Sequence, residues 1–488
     1  VDSTAILPLL PLICAVGAVA AGLVPRGARW LATATAGVVL FLGTWAIVLA
    51  FPRTVSVEWN ALPWLPVPGT VGARLDPLSS LMLLVVLGIG LLVVIFSAGY
   101  VNQKNHDHST RGGQNRYYFW LLLFIAAMTG VVIAPNFLQL FIFWEITTLC
   151  SWALISFYDT PKALFAGYKA LLMTHIGGLF LMTAIVMLYV HTHSFSFDAM
   201  NALAPRALNI FFLLTLVGGL AKAAQGPFYT WLPDAMEAPT PVSAYLHAAA
   251  MVKAGIYLVA RVVLSSTEIT RQQLAGSGMA TVVAVVSIAT MVMGVYLFFF
   301  QDDLKKLLAL STITHLSYML MGCALGLWGS WAGFQGGIMH LAAHAMGKAL
   351  LFLSVGALAY FSGSKKISEL AGVGAKLPLA AIGFFVGAFT VTGVPPFGGF
   401  FSKMMLIGGA FAMGGVGPWI GVFLLLESVV AFAWFLWVGQ KVFFGKQSPA
   451  AAAIGTSSAP MGIALTALII LCLGVTLISL PLVRQLVP

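Results

Sequence analysis

The stretch Ile210-Phe211-Phe212-Leu213-Leu214-Thr215-Leu216-Val217-Gly218-Gly219-Leu220-Ala221-Lys222-Ala223-Ala224-Gln225-Gly226-Pro227-Phe228-Tyr229-Thr230-Trp231 puts a lysine into lipid-grade sequence and a Gly-Pro pair one turn later. A charge at the centre of a span costs about 2.5–3.5 kcal/mol on insertion scales unless it faces protein interior or water. Proline breaks the helix and frees backbone groups, which membranes tolerate only around a protected or wet cavity. Lys222 beside this break is therefore a candidate ion site, and the pattern recurs along the chain.

The chain has 488 residues, 60% hydrophobic and 8% charged. Soluble domains carry about a quarter charged residues, so this is an integral membrane protein. Runs of roughly twenty apolar residues recur end to end, without the alternation of a strand barrel, so the fold class is all-α. The net charge of +10 is scattered over loops with no basic stripe interleaved with aromatics. It reads as topogenic charge and not as a nucleic-acid surface. Cys14, Cys150, Cys323 and Cys472 lie singly in apolar segments, with neither metal spacing nor a disulfide framework. The N-terminus lacks the basic region and cleavage site of a secretory signal, and Val1 implies an initiator Met removed or left out.

About fourteen transmembrane helices are expected, at 4–24, 29–51, 77–100, 117–134, 136–157, 162–190, 208–236, 241–264, 276–298, 303–323, 329–361, 378–410, 417–443 and 459–484. Two of them, 208–236 with Pro227 and Pro233 and 378–410 with Pro395 and Pro396, read as discontinuous helices. Four regions follow: 1–116 with three helices, 117–264 and 276–443 with five each, and a final helix in 459–488. Gly219…Pro227-Phe228…Trp231 matches Gly387…Pro396-Phe397…Phe400, the pattern of two inverted five-helix repeats, each a proton half-channel.

With both termini outside, the inner loops hold thirteen basic residues, Arg26, Lys104 and Lys305 among them. The outer loops hold six, including Arg74, Arg261, Arg271 and Arg484. Lys169, Lys222, Lys253, Lys348 and Lys403 remain, inside or at the edge of spans. The segment 52–76, with Trp59, Trp64 and four prolines, suits an interfacial or hairpin-like element on the outer face. His106 and His108 fall in a polar loop and read as solvated residues before metal ligands.

Glu145, after Phe141-Ile142-Phe143-Trp144, is an intramembrane carboxylate with Lys222 as the expected partner. Pairing favours both charged forms, and separation releases the lysine to lose its proton, a protonation switch. The alternative is a structural hydrogen-bonding role for Glu145. His340, His344 and Lys348 are spaced by four and share a helix face. Leu341-Ala342-Ala343 offers no glutamate for a zinc site, so a proton relay or a structural polar stripe is expected, and no metal. His247 and Lys253 extend the line from Lys222, and Lys403 follows the second break. His315 and His175 read equally as core residues or relay members. Glu427 is a candidate cation ligand. Asp234 and Glu237 either cap the helix beginning near Pro241 or lie at a channel mouth. No nucleotide loop, flavin or haem motif or cluster-ligating cysteine run is present, so no cofactor is expected and redox chemistry would sit in another protein of the same complex.

Trp231-Leu232-Pro233-Asp234-Ala235-Met236-Glu237-Ala238-Pro239-Thr240-Pro241-Val242-Ser243-Ala244-Tyr245-Leu246-His247 resembles the signature of the antiporter-like subunits of complex I and their relatives. So do Phe143-Trp144-Glu145, the run from His340 to Phe352 and Gly393-Val394-Pro395-Pro396-Phe397-Gly398-Gly399-Phe400. The run His247-Ala248-Ala249-Ala250-Met251-Val252-Lys253-Ala254-Gly255-Ile256-Tyr257 most resembles the large subunit of Mrp-type multisubunit Na+/H+ antiporters. The resemblance covers nearly the whole chain. It implies fourteen helices with two inverted repeats and a Glu145–Lys222 charged pair. It also implies a link at Lys253 and an exit path through His340, His344, Lys348 and Lys403. The family's sixth span is variable, so no role carries over to His175. The large Mrp subunit continues beyond fourteen spans, so a sequence ending at Pro488 is expected to be a truncated, split or partial form.

The leading expectation is a membrane subunit of a bacterial plasma-membrane Na+/H+ antiporter, in a complex with other hydrophobic subunits. The alternative is a proton-pumping subunit of a complex I-like oxidoreductase or a membrane-bound hydrogenase. A purely structural scaffold gives no reason to keep so many costly buried charges.

Overall fold

The computed structural model describes residues 3–24, 27–60, 70–452 and 458–486. Arg26 and Trp64 lie outside them. Among the described residues thirteen helices are long and apolar enough to cross a membrane, and two shorter apolar helices share the expected span 378–410.

The chain opens with α1 (Ser3–Ile6), α2 (Leu9–Leu23) and α3 (Ala28–Ala50). An antiparallel hairpin follows, β1 (Val55–Asn60) paired to β2 (Thr70–Leu75) with Val55 opposite Leu75. The Gln139 amide fixes it to the bundle by bonding both the N–H (2.8 Å) and the carbonyl (2.9 Å) of Gly72. Asp76 then caps α4 (Pro77–Tyr100), accepting from the Ser79 N–H at 2.9 Å, with Pro77 in the first turn where its missing donor costs nothing. Next come α5 (Gln114–Ile133), α6 (Phe137–Ile155), α7 (Pro161–Thr192) and α8 (Pro205–Lys222). The first break lies between Lys222 and α9 (Trp231–Asp234). In it Ala224 sits in the left-handed region at φ 49°, a conformation costing an L-residue roughly 1–2 kcal/mol.

After α10 (Thr240–Ala248), α11 (Met251–Ser265) and α12 (Glu268–Gly276) come α13 (Met279–Phe298), α14 (Leu304–Leu327) and α15 (Trp331–Ser362). The second broken span is α16 (Pro378–Thr392), ended by Gly393 at φ 93°, and α17 (Gly398–Met413). The chain closes with α18 (Gly417–Phe443), α19 (Pro449–Ala452) and α20 (Ala459–Val483).

The span expected at 241–264 is not continuous. It divides between α10 and α11, with no glycine or proline to announce it. The carbonyl of Ala248 that the break frees is taken by the ammonium of Lys253. The side chain thus supplies the partner that the helix gives up.

Burial sorts the helices. The apolar windows of α14 and α15 are entirely buried and that of α10–α11 is 89% buried. Those of α3, α7, α13, α18 and α20 are 33–39% buried and face outward. Helices apolar on all sides belong in the centre, and the central ones carry the buried His247, Lys253, Lys305, His315, His340, His344 and Lys348, while buried Lys222 and Lys403 lie on α8 and α17. Small residues let these helices approach. A Cβ on Gly255 would strike the Gly219 carbonyl and Ala223, so α11 rests against the broken end of α8. Gly255→Leu is expected to cost more than 2 kcal/mol, by roughly the 1–3 kcal/mol of overpacking plus backbone displacement. The check is detergent-solubilised melting, read beside Gly88→Leu, where an added Cβ meets nothing within 4 Å.

Candidate functional site

Lys222 ends α8 fully buried. Its ammonium donates to the Trp144 carbonyl (2.9 Å) and the Thr148 hydroxyl (2.7 Å), and lies 4.7 Å from the Trp144 ring centre. The expected contact with Glu145 is absent. Successive residues of a helix are rotated by about 100°, so Trp144 and Thr148 face α8 while Glu145 faces α7. There its carboxylate meets the His175 Nδ1 at 2.8 Å, with the two side chains 23% and 52% exposed. Gly178 leaves the room, since a Cβ there would collide with Glu145 Oε1. His175 is thus not a core residue, and it meets Glu145 on the α7 side.

From Lys222 the break hands over to Gln225. Its amide donates to Ala223 and Ile313 carbonyls, both at 3.2 Å, and its oxygen accepts from the Ser317 hydroxyl at 2.6 Å. That ties the break to α14, two residues from His315.

The centre is a cluster of imidazoles. Lys253 Nζ lies 3.3 Å from His344 Nδ1. The His315 ring is 5.4 Å from both His344 and His340, centre to centre. His315 Nδ1 is 3.2 Å from His340 Nε2, and His340 Nδ1 is 3.0 Å from the Ser402 hydroxyl. All of these side chains are buried. Nε2 of His315 and of His344 are buried without a partner, leaving acceptor or donor capacity for a mobile proton or water. His247 is also fully buried, both ring nitrogens unpartnered, 4.8 Å from the Phe352 ring centre.

Lys348 shares the α15 face but turns to α14, donating to the Leu308 carbonyl (3.1 Å) and to the Ser311 hydroxyl. Lys403, after the second break, donates to Ser428 at 2.8 Å and lies 4.3 Å from the Tyr318 ring centre. The Tyr318 hydroxyl contacts the Glu427 carboxylate, Ser428 at 2.8 Å and the Leu424 carbonyl at 2.6 Å. Its ring centre is 5.6 Å from that of His340, so the Lys403–Glu427 end adjoins the imidazole cluster.

Asp234 does not cap α10, whose N-cap is Pro239 without a side-chain bond. It pairs with Lys169 at 2.7 Å, both partly exposed. Half-buried Glu237 lies between two carbonyls, of Met236 and Ala238, that accept from Lys305 at 2.6 and 2.7 Å. Lys305, counted among loop charges, is buried, and so are Arg261 and Arg271. No group of three or more His, Cys, Asp or Glu poised to hold a metal occurs among the described residues. Sequence reasoning missed Gln225, Ser317, Tyr318, Ser402 and Ser428, because uncharged polar residues are common in spans and nothing singles these out.

Residues 134–431 match the family described as NADH:quinone oxidoreductase/Mrp antiporter, TM, and residues 64–118 match the complex I chain 5 N-terminus. Among curated relatives, a Na(+)/H(+) antiporter subunit of Alkalihalophilus pseudofirmus is 34% identical over 450 residues, covering 86% of this chain and 54% of that protein. The chloroplastic NAD(P)H-quinone oxidoreductase subunit 5 of Zygnema circumcarinatum is 33% identical over 439 residues, covering 83% and 59%. The chain thus spans little more than half the length of these relatives. Among solved structures, a chain of the Mrp complex from Dietzia sp. DQ12-45-1b superposes with TM-score 0.84 at 31% identity, covering 100% of this chain and 52% of that one. A chain of an archaeal membrane-bound sulfane sulfur reductase shares the fold, with TM-score 0.83 at 23% identity over 99% of this chain and 96% of that one. A buried lysine–histidine core on a multi-pass helical membrane scaffold, with a family match over well over half its length, makes this chain a member of the NADH:quinone oxidoreductase/Mrp antiporter transmembrane family.

Proposed function

We propose that this chain is the proton-conducting membrane subunit of a multisubunit Na+/H+ antiporter in a bacterial plasma membrane, working with other hydrophobic subunits. The observation that carries the reading is the Lys253–His344 contact beside the His315–His340–Ser402 chain, whose three histidines lie on the two most buried helices, α14 and α15. An imidazole can take a proton on one ring nitrogen and release one from the other, and a lysine beside it supplies or accepts one. Lys222 and Gln225 feed this centre from one broken span. Lys348, Lys403 and Glu427 carry protons away beside the other. Asp234 and Glu237 line the mouth on the Lys305 side, and His247 serves at the turn between α10 and α11.

In this reading residues 117–264 and 276–443 are two inverted half-channels. Lys222 and Lys403, one beside each break, both donate to a span hydroxyl, Thr148 and Ser428, which supports the correspondence. Both termini lie outside, since the inner loops are the richer in lysine and arginine. The similarity to the Na(+)/H(+) antiporter subunit supports Na+ as the exchanged cation.

The near-equal identity to the chloroplastic oxidoreductase subunit favours a second reading, a non-redox pumping subunit of a quinone-reducing complex. Purification of the native complex separates the two. Small hydrophobic partners and Na+-dependent proton movement in proteoliposomes are expected. Iron–sulfur partners and proton movement indifferent to Na+ would replace the antiporter reading with the pump.

A further inference from the structure

On the hairpin side of the bundle, where α4 starts and α20 ends, a recess of about 530 Å3 is lined by Arg74, Asp76, Arg261 and Arg484. Such a volume falls within the range of small-molecule sites, roughly 300–1,000 Å3. Three guanidiniums face one carboxylate. Asp76 is committed to Arg261, which bonds both carboxylate oxygens as well as Ser79 (2.8 Å) and Tyr257 (2.6 Å). Arg74 reaches the same carboxylate through Nε alone, at 3.2 Å. Arg484 has no side-chain partner among the described residues and is exposed. Arg261 itself is 1% exposed, and its Nε is buried without a partner. The recess therefore holds more guanidinium donors than its protein acceptors use.

The same two helices form the walls of an apolar groove of about 220 Å3 deeper in the membrane, with Leu81, Gly88 and Leu92 on α4, Met346 on α15, and Val475 and Ile478 on α20. The hydroxyl of Ser479, at its rim, is already bound to the Val475 carbonyl at 2.8 Å, so the groove offers hydrocarbon alone. At 1.5 Å rise per residue, Leu81 is about 6 Å along α4 from Pro77, and Ile478 about 9 Å along α20 from Arg484. The near end of the groove thus lies about one helix turn from the arginine recess along α4 and under two turns along α20. Gly88 keeps it clear, since an added Cβ would meet nothing within 4 Å.

We infer that this seam binds one anionic phospholipid, its phosphate on Arg74 and Arg484 over the Arg261–Asp76 pair and an acyl chain in the α4–α20 groove. Guanidinium forks match phosphate oxygens and stay charged at every physiological pH. A helix of another protein would also fill an apolar groove, but it gives no reason for surplus guanidiniums at the groove's aqueous end. An anionic amphiphile accounts for both. The groove wall on α15 includes Met346, two residues from His344, so the acyl chain supports the helix that carries the imidazoles.

The test is native mass spectrometry of the purified complex exchanged into mixed micelles of phosphatidylglycerol and phosphatidylcholine. One phosphatidylglycerol is expected to stay bound, preferred about tenfold or more: both headgroups offer a phosphodiester to the arginines, but the fixed positive charge of choline is repelled by the three guanidiniums. Arg74→Gln with Arg484→Gln is expected to remove the preference, and Gly88→Phe to lower retention of either lipid with the arginines intact. Equal retention of the two lipids by the unaltered complex overturns the inference without recourse to any variant. So does displacement by millimolar inorganic phosphate, which marks a free-anion site, or unchanged retention by Gly88→Phe. A native complex whose groove is filled by a protein helix overturns it too.

Discussion

Lys253→Met is expected to stop proton movement while the protein still reaches the membrane. Methionine keeps the length and apolar volume of the stem but removes the ammonium that bridges the Ala248 carbonyl and the His344 imidazole. A positioned proton-transfer group typically contributes about 10²–10⁴-fold, so transport in everted vesicles carrying the whole complex is expected to fall at least 10²-fold. The effect is tied to the proton and not to packing. Losing the partner of the buried Ala248 carbonyl is expected to cost about 1–3 kcal/mol of stability, a shift in melting that leaves the protein in the membrane and cannot account for so large a loss of transport. His344→Gln is expected to act alike, and Lys222→Ala to stop delivery from the other side of Gln225. Both family readings require these losses. Unchanged transport in Lys253→Met, with the variant protein quantified in the same vesicles, would remove the central relay from either one.

What is legible in the sequence follows from the physics of lipid. A charge inside an apolar run cannot be averaged away, so Lys222, Lys253, Lys348 and Lys403 stand out without any structure. The i,i+4 spacing of His340, His344 and Lys348 gives their common face by helix geometry alone. Which neighbour each charge meets is a different matter. Glu145 and Lys222 are opposite in sign, yet one residue of helix rotation turns the carboxylate to His175 and leaves Trp144 and Thr148 to the lysine. Sign alone cannot register that rotation. The break before Lys253 is hidden for a related reason. Ala248-Ala249-Ala250 is the best of helix formers, and the partner that compensates the freed carbonyl is a lysine five residues on. Arg261 reads as loop charge because it stands four residues from the end of its helix. Only the fold brings Asp76, 185 positions away in sequence, against it.

That ion pair carries the second large effect. Asp76→Asn is expected to cost about 3–5 kcal/mol, the range for a buried pair broken from one side. Arg261 would keep its charge at 1% exposure with a neutral amide in place of a carboxylate. The same change weakens the α4 cap on Ser79, worth about 1 kcal/mol when lost entirely, though asparagine caps nearly as well as aspartate. The cap therefore falls well short of explaining a loss of that size, and the charge must. Thermal unfolding in detergent measures it. Arg261→Met together with Asp76→Leu is expected to recover part of the loss, because removing both partners leaves no orphaned charge. The pH dependence has the sign of a depressed carboxylate. Burial alone would raise the pKa of Asp76, but the Arg261 guanidinium, its hydrogen bonds and Arg74 outweigh burial and hold it below the ordinary carboxylate range. The folded pKa lies under the unfolded one, so the pair's contribution is complete above the unfolded value and is lost only as pH falls through the folded one. Melting of the unaltered protein near neutral pH should accordingly owe no slope to this pair, and the gap between it and Asp76→Asn should narrow only in strong acid. A gap that instead closed as the pH rose toward alkaline values would show that some group other than this carboxylate holds the hairpin end of the bundle together.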